Sequence, residues 1–290
     1  GETFIAVRNE VVSRLKLNED EWLLGQGTLY PDIIESGGTK NSHTIKTHHN
    51  RVEGIQALIE KGLIIEPLRE LYKDEVRTLG KNIGLDDPLV FRHPFPGPGL
   101  SINVLCHGPG NESSDELARA LDSVKAVDPG RFFKASCENA EGPPSLAAIE
   151  VLPVKSVGVQ GDFRTYRFPA SLRFDRVLER FPRWSDLEAA SSTITNASSL
   201  VNRTVLELAR ADRGELRLRE GYCDRARLDQ TREVDAIVLE ELKGSSWYAK
   251  IFQHLTINLP WAAAEGHCSI VLRPVVSEDV MTARFAHLDI

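Results

Sequence analysis

The chain has 290 residues, of which 41% are hydrophobic and 27% are charged, and its formal net charge is −7. This composition is typical of a folded protein with one large domain or two ordinary ones. The acidic balance, with a pI of about 5.7, offers no basic field, so we expect no nucleic-acid partner. No apolar run approaches the ~18 residues of a membrane span, and there is no signal-peptide pattern, so we expect a cytoplasmic protein with no membrane partner.

Residues 1–90 alternate between helical and extended patterns. Apolar positions at helical spacing predict three helices, over residues 2–17, 51–61 and 73–83. Short apolar runs predict two strands, at residues 22–27 and 63–65. This alternation favours an α/β domain with a parallel sheet, in which ligands lie beyond the carboxyl ends of the strands. Gln26 and Gly27 occupy such a position.

A stiff connector follows at residues 91–100, the segment FRHPFPGPGL, which has three prolines and two glycines. Each proline fixes φ and removes a backbone donor, so the segment excludes a helix or a central strand. Arg92 and His93 lie near its start, where they could contact a charged ligand. The alternative to a ligand-binding role, and the one that the segment alone supports, is an ordinary interdomain linker.

The chain beyond the connector predicts an α+β fold. Alternating β-branched residues indicate strands within residues 100–105 and 145–159. Helical patterns cover residues 114–123 and 185–212, and within the second we predict a polar lead followed by a helix over 200–210.

A weak internal repeat is visible in the same region. Leu152-Pro153 and Leu259-Pro260 each open a similar segment, and Arg173 and Arg273 each follow an apolar run. We therefore expect two subdomains in tandem, over residues 101–225 and 226–290, the second of them truncated.

Four ordered segments resemble one enzyme family. They are residues 26–36 (QGTLYPDIIES), 42–50 (SHTIKTHHN), 73–77 (KDEVR) and 91–100. Together they are similar to the ATP-pyrophosphatase domain of the GMP synthetase family, glutamine-hydrolysing ligases that aminate XMP to GMP. Residues 157–162 and 249–253 resemble parts of that family's dimerisation region, in the tandem form of its eukaryotic-type members. The resemblance implies a partial ATP-pyrophosphatase domain over residues 1–90 and a role in guanine nucleotide biosynthesis.

The family reaction implies the ligands and a lid. ATP, carried with Mg²⁺, adenylates XMP, and ammonia from a glutaminase domain then displaces AMP. Both steps need cations around the phosphates and a lid that excludes water. We expect residues 36–50 to form that lid and Lys46 to be catalytic, neutralising charge on the α-phosphate and pyrophosphate. From spacing alone, Lys46 would be taken as a solvated loop lysine.

The resemblance also implies binding residues. Candidate ATP or lid contacts are Gln26, Gly27, Asp32, His48, His49, Arg92 and His93. Asp162 and Gln253 match positions that contact XMP, since a carboxylate can bind ribose hydroxyls and an amide can recognise a purine edge. Without the resemblance they would be a turn acid and a surface amide. The family's subunit arrangement implies a homodimer or a pseudo-dimeric monomer.

We predict no metal site. The side chains of His48 and His49 diverge because the residues are adjacent, and no carboxylate or cysteine lies at useful spacing. The four cysteines are scattered without a Cys-x-x-Cys pair, which favours reduced thiols.

The family's Ser-Gly-Gly-x-Asp-Ser pyrophosphate loop is not found in the chain. Ser36-Gly37-Gly38 is followed by Thr39-Lys40 and comes after the first motif, so it is not that loop. A Gly-x-Cys-x-Gly glutaminase nucleophile and the family's Lys-Pro-Pro tail are also not found. We therefore expect a fragment that is inactive in isolation. Two alternatives stay open: a catalytically inactive dimerisation and ligand-binding module, or another ligase of the ATP-pyrophosphatase fold.

Overall fold

The structure is a computed structural model that describes residues 2–18, 21–35, 53–97, 99–109, 114–133, 145–160, 163–175, 177, 181–210, 214–277 and 283–289. The chain divides into two compact units, Gly1–Arg92 and His93–Ile290. Lys46, His48, His49 and Asp162 lie outside the described residues. In the described part of the chain, no helix is both long and apolar enough to cross a membrane.

The first unit combines helices with a small parallel sheet. Its elements are α1 (Glu2–Arg14), β1 (Leu24–Gly25), α2 (Tyr30–Glu35), α3 (Glu53–Glu60), β2 (Ile64–Ile65), α4 (Lys73–Asn82) and α5 (Asp87–Val90). β1 and β2 are parallel, with Leu24 opposite Ile64. The three predicted helices are confirmed as α1, α3 and α4, and the two predicted strands are confirmed in shorter form. This mixture is compatible with the α/β class.

Local sequence explains how these helices form and end. The apolar positions of α3 bury Ile55 and Leu58. α4 begins where the Glu75 carboxylate accepts a hydrogen bond from the Tyr72 backbone N–H at 2.7 Å, which satisfies one donor of the first turn. The chain leaves α4 through Gly84, whose φ of +86° suits glycine and disfavours other residues.

The first half of the second unit is a sheet covered by two helices. Its elements are α6 (Ser114–Ala126), β3 (Leu146–Val151), β4 (Ser156–Gln160), β5 (Phe163–Phe174), α7 (Trp184–Ala197) and β6 (Val201–Glu207). β3 and β4 pair antiparallel with successive parts of β5, and β6 pairs parallel with β5. Leu172 of β5, Val124 of α6 and Ile194 of α7 lie in one buried core.

The second half has a similar order of elements. They are β7 (Arg217–Leu218), α8 (Arg225–Gly244), α9 (Trp247–Lys250), β8 (Gln253–Leu259), β9 (Trp261–Ala262), β10 (Ser269–Val276) and β11 (Arg284–Phe285). β10 lies between β8 and β11, antiparallel to both, and β7 pairs with β9. α8 begins at the Asp224 cap, whose carboxylate accepts from the Arg227 N–H at 2.9 Å.

The strand order supports the internal repeat. β3 leads into Leu152-Pro153 and β8 ends just before Pro260, and a short strand follows in each case. A long antiparallel strand comes next, β5 with Arg173 or β10 with Arg273. The subdomain boundaries at 101–225 and 226–290 stay a prediction.

Two local predictions are wrong. Residues 200–210 do not form a helix, because Val201–Glu207 is strand β6, which the register with β5 holds in extended form. The polar segment expected to lead into that helix instead lies mostly inside α7, which ends at Ala197. Residues Gly99–Asn103 form a 3₁₀ turn where we expected extended chain, and only Val104 bridges to Asn258. Tertiary pairing outweighs local propensity at both places.

Candidate functional site

One candidate site lies at the carboxyl edge of the small parallel sheet. The Gln26 N–H donates to the Ile65 carbonyl at 2.9 Å, which carries the β1–β2 register one residue past the strand. Thr28 is fully buried, and its hydroxyl donates to Glu66 Oε1 at 2.6 Å. Because parallel strands end at the same edge, the residues after β1 meet those after β2. Gln26 and Gly27 therefore lie where a ligand of an α/β sheet is expected.

Asp32 has a local structural role at this edge. Its Oδ2 accepts a hydrogen bond from the Leu29 N–H at 2.9 Å. The carboxylate lies in the first turn of α2, where a negative charge also suits the helix dipole. Asp32 thus fixes the path of the loop that Gln26 and Gly27 begin.

The start of α4 joins the same edge. The Tyr30 N–H donates to the Leu71 carbonyl at 3.1 Å, and the rings of Tyr30 and Tyr72 meet edge to face with centroids 5.3 Å apart. The next residue is Lys73, whose pKa is lowered by burial and, to a lesser extent, by Arg77. Lys73 and Arg77 are thus two cations one helical turn apart on α4, and the first of them follows directly on Tyr72.

A second candidate site, which we name the connector cluster, consists of His93, Pro94, Tyr248 and Gln253. The rings of His93 and Tyr248 stack with centroids 3.9 Å apart, and His93 Nε2 lies 2.8 Å from the Tyr248 carbonyl oxygen. Gln253 Nε2 donates to the Pro94 carbonyl at 3.3 Å. The structure thus brings together two predicted site residues, His93 and Gln253, whereas Arg92 is the exposed last residue of the first unit.

A buried polar chain lies next to the connector cluster. The Thr256 hydroxyl donates to Asp235 Oδ1 at 2.8 Å, and His254 Nε2 lies 2.8 Å from that hydroxyl. The His254 side chain is only 2% exposed. Burial lowers the pKa of His254, the Asp235 charge opposes that shift, and His93 adds to it. Because the Thr256 hydroxyl gives its hydrogen to Asp235, its oxygen can accept a hydrogen bond from the Nε2–H of His254.

Asn202 of β6 holds the beginning of β4 in place. The pairing of β4 with β5 runs from Ser156 opposite Arg167 to Gln160 opposite Phe163. Asn202 Nδ2 donates to the Ser156 carbonyl at 2.7 Å. Gly158 lies against this amide, because a Cβ there would come within 2.8 Å of Asn202 Nδ2. A larger residue would displace the amide.

Several residues of these sites were missed in the sequence. Thr28 lies inside the first motif, and Glu66 follows β2 just as Gln26 follows β1. Both could have been found in the sequence, because ligands of an α/β sheet lie beyond the carboxyl ends of its strands. Lys73 opens a motif but was given no role. Nothing local distinguishes Tyr248 or His254, because their contacts join distant parts of the chain.

Comparison with known proteins identifies relatives along the whole chain. No protein-family model matches the sequence. It is 40% identical over 291 aligned residues to a probable glutamine-hydrolysing GMP synthase of Leptospira interrogans, covering 100% of this chain and 44% of that protein. The chain is homologous to one part of the GMP synthases. A Dictyostelium discoideum GMP synthase is 31% identical, with 97% of this chain and 43% of that protein aligned.

The chain therefore spans less than half the length of these relatives. A shorter match, to a Fusobacterium nucleatum GMP synthase, is 41% identical and covers 72% of this chain. The Leptospira match is bacterial and covers both proposed repeats, so the doubled arrangement does not by itself indicate a eukaryotic source.

Proposed function

We propose that the chain is the XMP-aminating part of a glutamine-hydrolysing GMP synthase. The observation that carries this proposal is the 40% identity along the entire chain to a probable GMP synthase. The reaction would be adenylation of XMP by ATP, followed by displacement of AMP by ammonia, which makes GMP for guanine nucleotide synthesis. Residues 1–90 would be a partial ATP-pyrophosphatase domain, residues 91–100 the connector, and the remainder two dimerisation subdomains.

The residues at the sheet edge fit a bound ATP. Among the described residues, no heavy atom lies within 4 Å of the place where a Cβ of Gly27 would be, so a ligand would have room to approach this backbone closely. Gln26 supplies an amide, and Lys73 and Arg77 supply positive charge for phosphates. ATP, with Mg²⁺ to which we assign no protein ligand, would contribute the adenylyl group. From the family resemblance, His48, His49, Arg92 and His93 stay proposed as ATP or lid contacts.

Lys46 is the proposed catalytic residue. An ammonium group directed at the α-phosphate would stabilise the charge that builds up during adenylyl transfer. Its neighbours in residues 36–50 would form the lid, because an adenylate in contact with water is hydrolysed before ammonia can attack.

The proposed XMP contacts belong to different repeats. Asp162 follows β4 and Gln253 begins β8, so a ligand that touches both would lie between the repeats. Ammonia would come from glutamine through a glutaminase domain, and the two repeats would make the protein a homodimer or a pseudo-dimeric monomer in the cytoplasm.

The test is an assay of the longer protein in which the region upstream of residue 1 is restored. We expect ATP, XMP and ammonia to give AMP, pyrophosphate and GMP in equal amounts, and the polypeptide 1–290 alone to give none. XMP binding without turnover in the restored protein would favour the inactive module instead. Turnover with another acceptor, such as a nicotinate dinucleotide, but not with XMP would favour a different ligase of the same fold.

A further inference from the structure

Residues 284–288, which we name the strap, are anchored in the second repeat. The strap begins with β11, which pairs with β10, and the Ala286 N–H donates to the Pro274 carbonyl at 3.0 Å. Ala286 is 2% exposed and lies in one buried cluster with Leu242 of α8, against which Leu288 also packs. One side of the strap is therefore part of the core of the second repeat.

The other side of the strap contacts α7 of the first repeat. Side chains alternate along an extended segment, so Phe285 and His287 lie opposite Ala286. The His287 ring stacks on the ring of Trp184, the first residue of α7, with centroids 5.2 Å apart and an angle of 2° between planes. The Phe285 ring lies 5.4 Å from the same tryptophan. Trp184 packs against the buried core of the first repeat, so the strap joins the two repeats.

A polar contact accompanies the stacked rings. His287 Nε2 lies 3.1 Å from Oε1 of Glu188, one turn further along α7. A carboxylate oxygen accepts, so the hydrogen of this bond is carried by Nε2 of the imidazole. The side chains of His287 and Glu188 are 46% and 41% exposed, and a polar pair with this exposure contributes little stability on its own.

The two sides of the strap are held unequally. The second repeat holds it through a buried side chain and backbone pairing, whereas the groups that face α7 are partly exposed, with Phe285 at 37%. Contacts that bury little apolar area, and hydrogen bonds that are open to solvent, are the first to break in local opening of a native protein. The strap should therefore leave α7 more readily than it leaves β10.

We propose that the strap is a releasable link that couples the two repeats. While its rings are seated on Trp184, opening of either repeat also breaks the ring contacts to the other, so the two repeats open together. Once the rings leave Trp184, each repeat opens on its own. The link is independent of the proposed function, because it involves no substrate.

The first test measures how the two repeats open in the full chain. Hydrogen exchange at rising urea, followed by mass spectrometry, reports the opening of β5 in the first repeat and of β8 in the second. Both strands of the parent chain should open in one transition. Phe285→Ala removes a partly exposed ring and empties no buried core. The transitions should then separate, with exchange in the less protected repeat about 10-fold faster or more, the scale of the lost ring contacts.

The control for this test is Phe95→Ala. Phe95 lies in the same unit and is 60% exposed, so its removal should leave the single transition of β5 and β8 unchanged. A single transition in Phe285→Ala as well, or two separate transitions already in the parent chain, would overturn the proposal.

A second measurement follows the release of the strap from α7. Diethyl pyrocarbonate modifies the neutral imidazole of histidine, and mass spectrometry assigns each modified residue. His287 should react about 5-fold faster in Trp184→Leu and in Glu188→Ala than in the parent, since each variant removes one contact that seats the ring. Glu188→Gln keeps an oxygen acceptor and should react at about the parent rate.

His267 is the internal control for the modification. It is exposed between β9 and β10, so its rate should be the same in the parent and in all three variants. Equal rates at His287 in every protein would mean that the ring is not held on α7, and faster reaction at His267 as well would indicate general loosening of the fold. Either result would contradict a releasable strap.

Discussion

The imidazole of His93 lies nearly parallel to the Tyr248 ring, with centroids 3.9 Å apart and an angle of 12° between planes. His93 Nε2 also lies 2.8 Å from the Tyr248 carbonyl oxygen. Together with the Gln253–Pro94 hydrogen bond, this contact fixes the beginning of the proline-rich connector to the start of β8. The connector is therefore part of the packed second unit at His93 and Pro94.

Replacing Tyr248 should loosen this attachment. Tyr248→Leu removes the stacked ring, and a ring pair of this geometry contributes about 1 kcal/mol beyond its buried area. We expect a loss of that size in the free energy of unfolding of the full chain, measured by urea titration. Tyr222→Leu is the control, because Tyr222 is 51% exposed and should change stability by less than about 0.5 kcal/mol. Equal losses in both variants would mean that the stack contributes nothing.

His254 should make the fold sensitive to acid. Its folded-state pKa is lowered by burial, with Asp235 opposing and His93 adding to the shift. The unfolded chain therefore binds the proton more readily, so stability should fall as the pH drops below the ordinary histidine value of about 6.5. His254→Gln removes this group but keeps an amide that can reach Thr256. Urea midpoints at pH 7, 6 and 5 should fall less steeply in the variant, and parallel slopes would contradict the prediction.

Gly158 should not tolerate a side chain. A Cβ would come within 2.8 Å of Asn202 Nδ2, so Asn202 would have to give up its bond to the Ser156 carbonyl. We expect Gly158→Ala to lower the free energy of unfolding by about 1–3 kcal/mol. Gly244→Ala is the matched control, because no atom in the part of the chain that the structure describes lies within 4 Å of its Cβ position at the end of α8. That change should be neutral or stabilising by up to about 1 kcal/mol, and similar losses at both glycines would refute the steric argument.

The sequence predicted the elements that local rules govern. Apolar spacing was enough to find α1, α3 and α4, and the strand-edge rule pointed to Gln26 and Gly27. The helix predicted over residues 200–210 was wrong, because the residues of that segment, such as Val201, Thr204 and Val205, do not show that β5 is available as a pairing partner. The tendency of a residue to be in a strand depends more on its packing against neighbouring strands than on an intrinsic preference of its backbone.

The sites were predictable only in part for a related reason. The repeat pointed to Arg173 and Arg273 from their matching positions, but it gave no indication that burial would lower the pKa of Arg203 and of Arg273. Likewise, His93 and Gln253 were found by separate motifs, and only the fold shows them in one cluster. Contacts between distant segments depend on topology, which periodicity does not encode.

Lys46 should affect chemistry without affecting assembly. In the longer protein with its upstream region restored, Lys46→Ala should raise the adenylation barrier by about 2–4 kcal/mol, the usual effect of losing one electrostatic donor. Single-turnover formation of adenylyl-XMP measures this directly, and sedimentation should show the same oligomer as the parent. Lys40→Ala, in the same segment, is the control and should react at the parent rate. Adenylation within threefold of the parent would remove Lys46 from the mechanism.

The two proposed XMP contacts should differ in strength. Losing a hydrogen bond that involves a charged group costs about 1.5–3 kcal/mol, and losing a neutral one costs about 1 kcal/mol. In the restored protein, Asp162→Ala should therefore raise the KM for XMP more than Gln253→Ala does, with the KM for ATP nearly unchanged in both. Steady-state kinetics with each substrate varied in turn is the measurement.

Gln253 contacts the connector in addition to its proposed contact with XMP, and the kinetic experiment must distinguish the two effects. Its amide donates to the Pro94 carbonyl at 3.3 Å, so Gln253→Ala also releases one contact of the connector. Tyr248→Leu is the control, because it disturbs the connector through His93 and leaves the Gln253 amide in place. If Gln253 binds XMP, its variant should raise the KM for XMP more than Tyr248→Leu does. Equal increases of the KM for XMP in these two variants would mean that Gln253 acts only through the connector. The proposal of a shared XMP site would be wrong if Asp162→Ala and Gln253→Ala both raised the KM for ATP and left the KM for XMP unchanged.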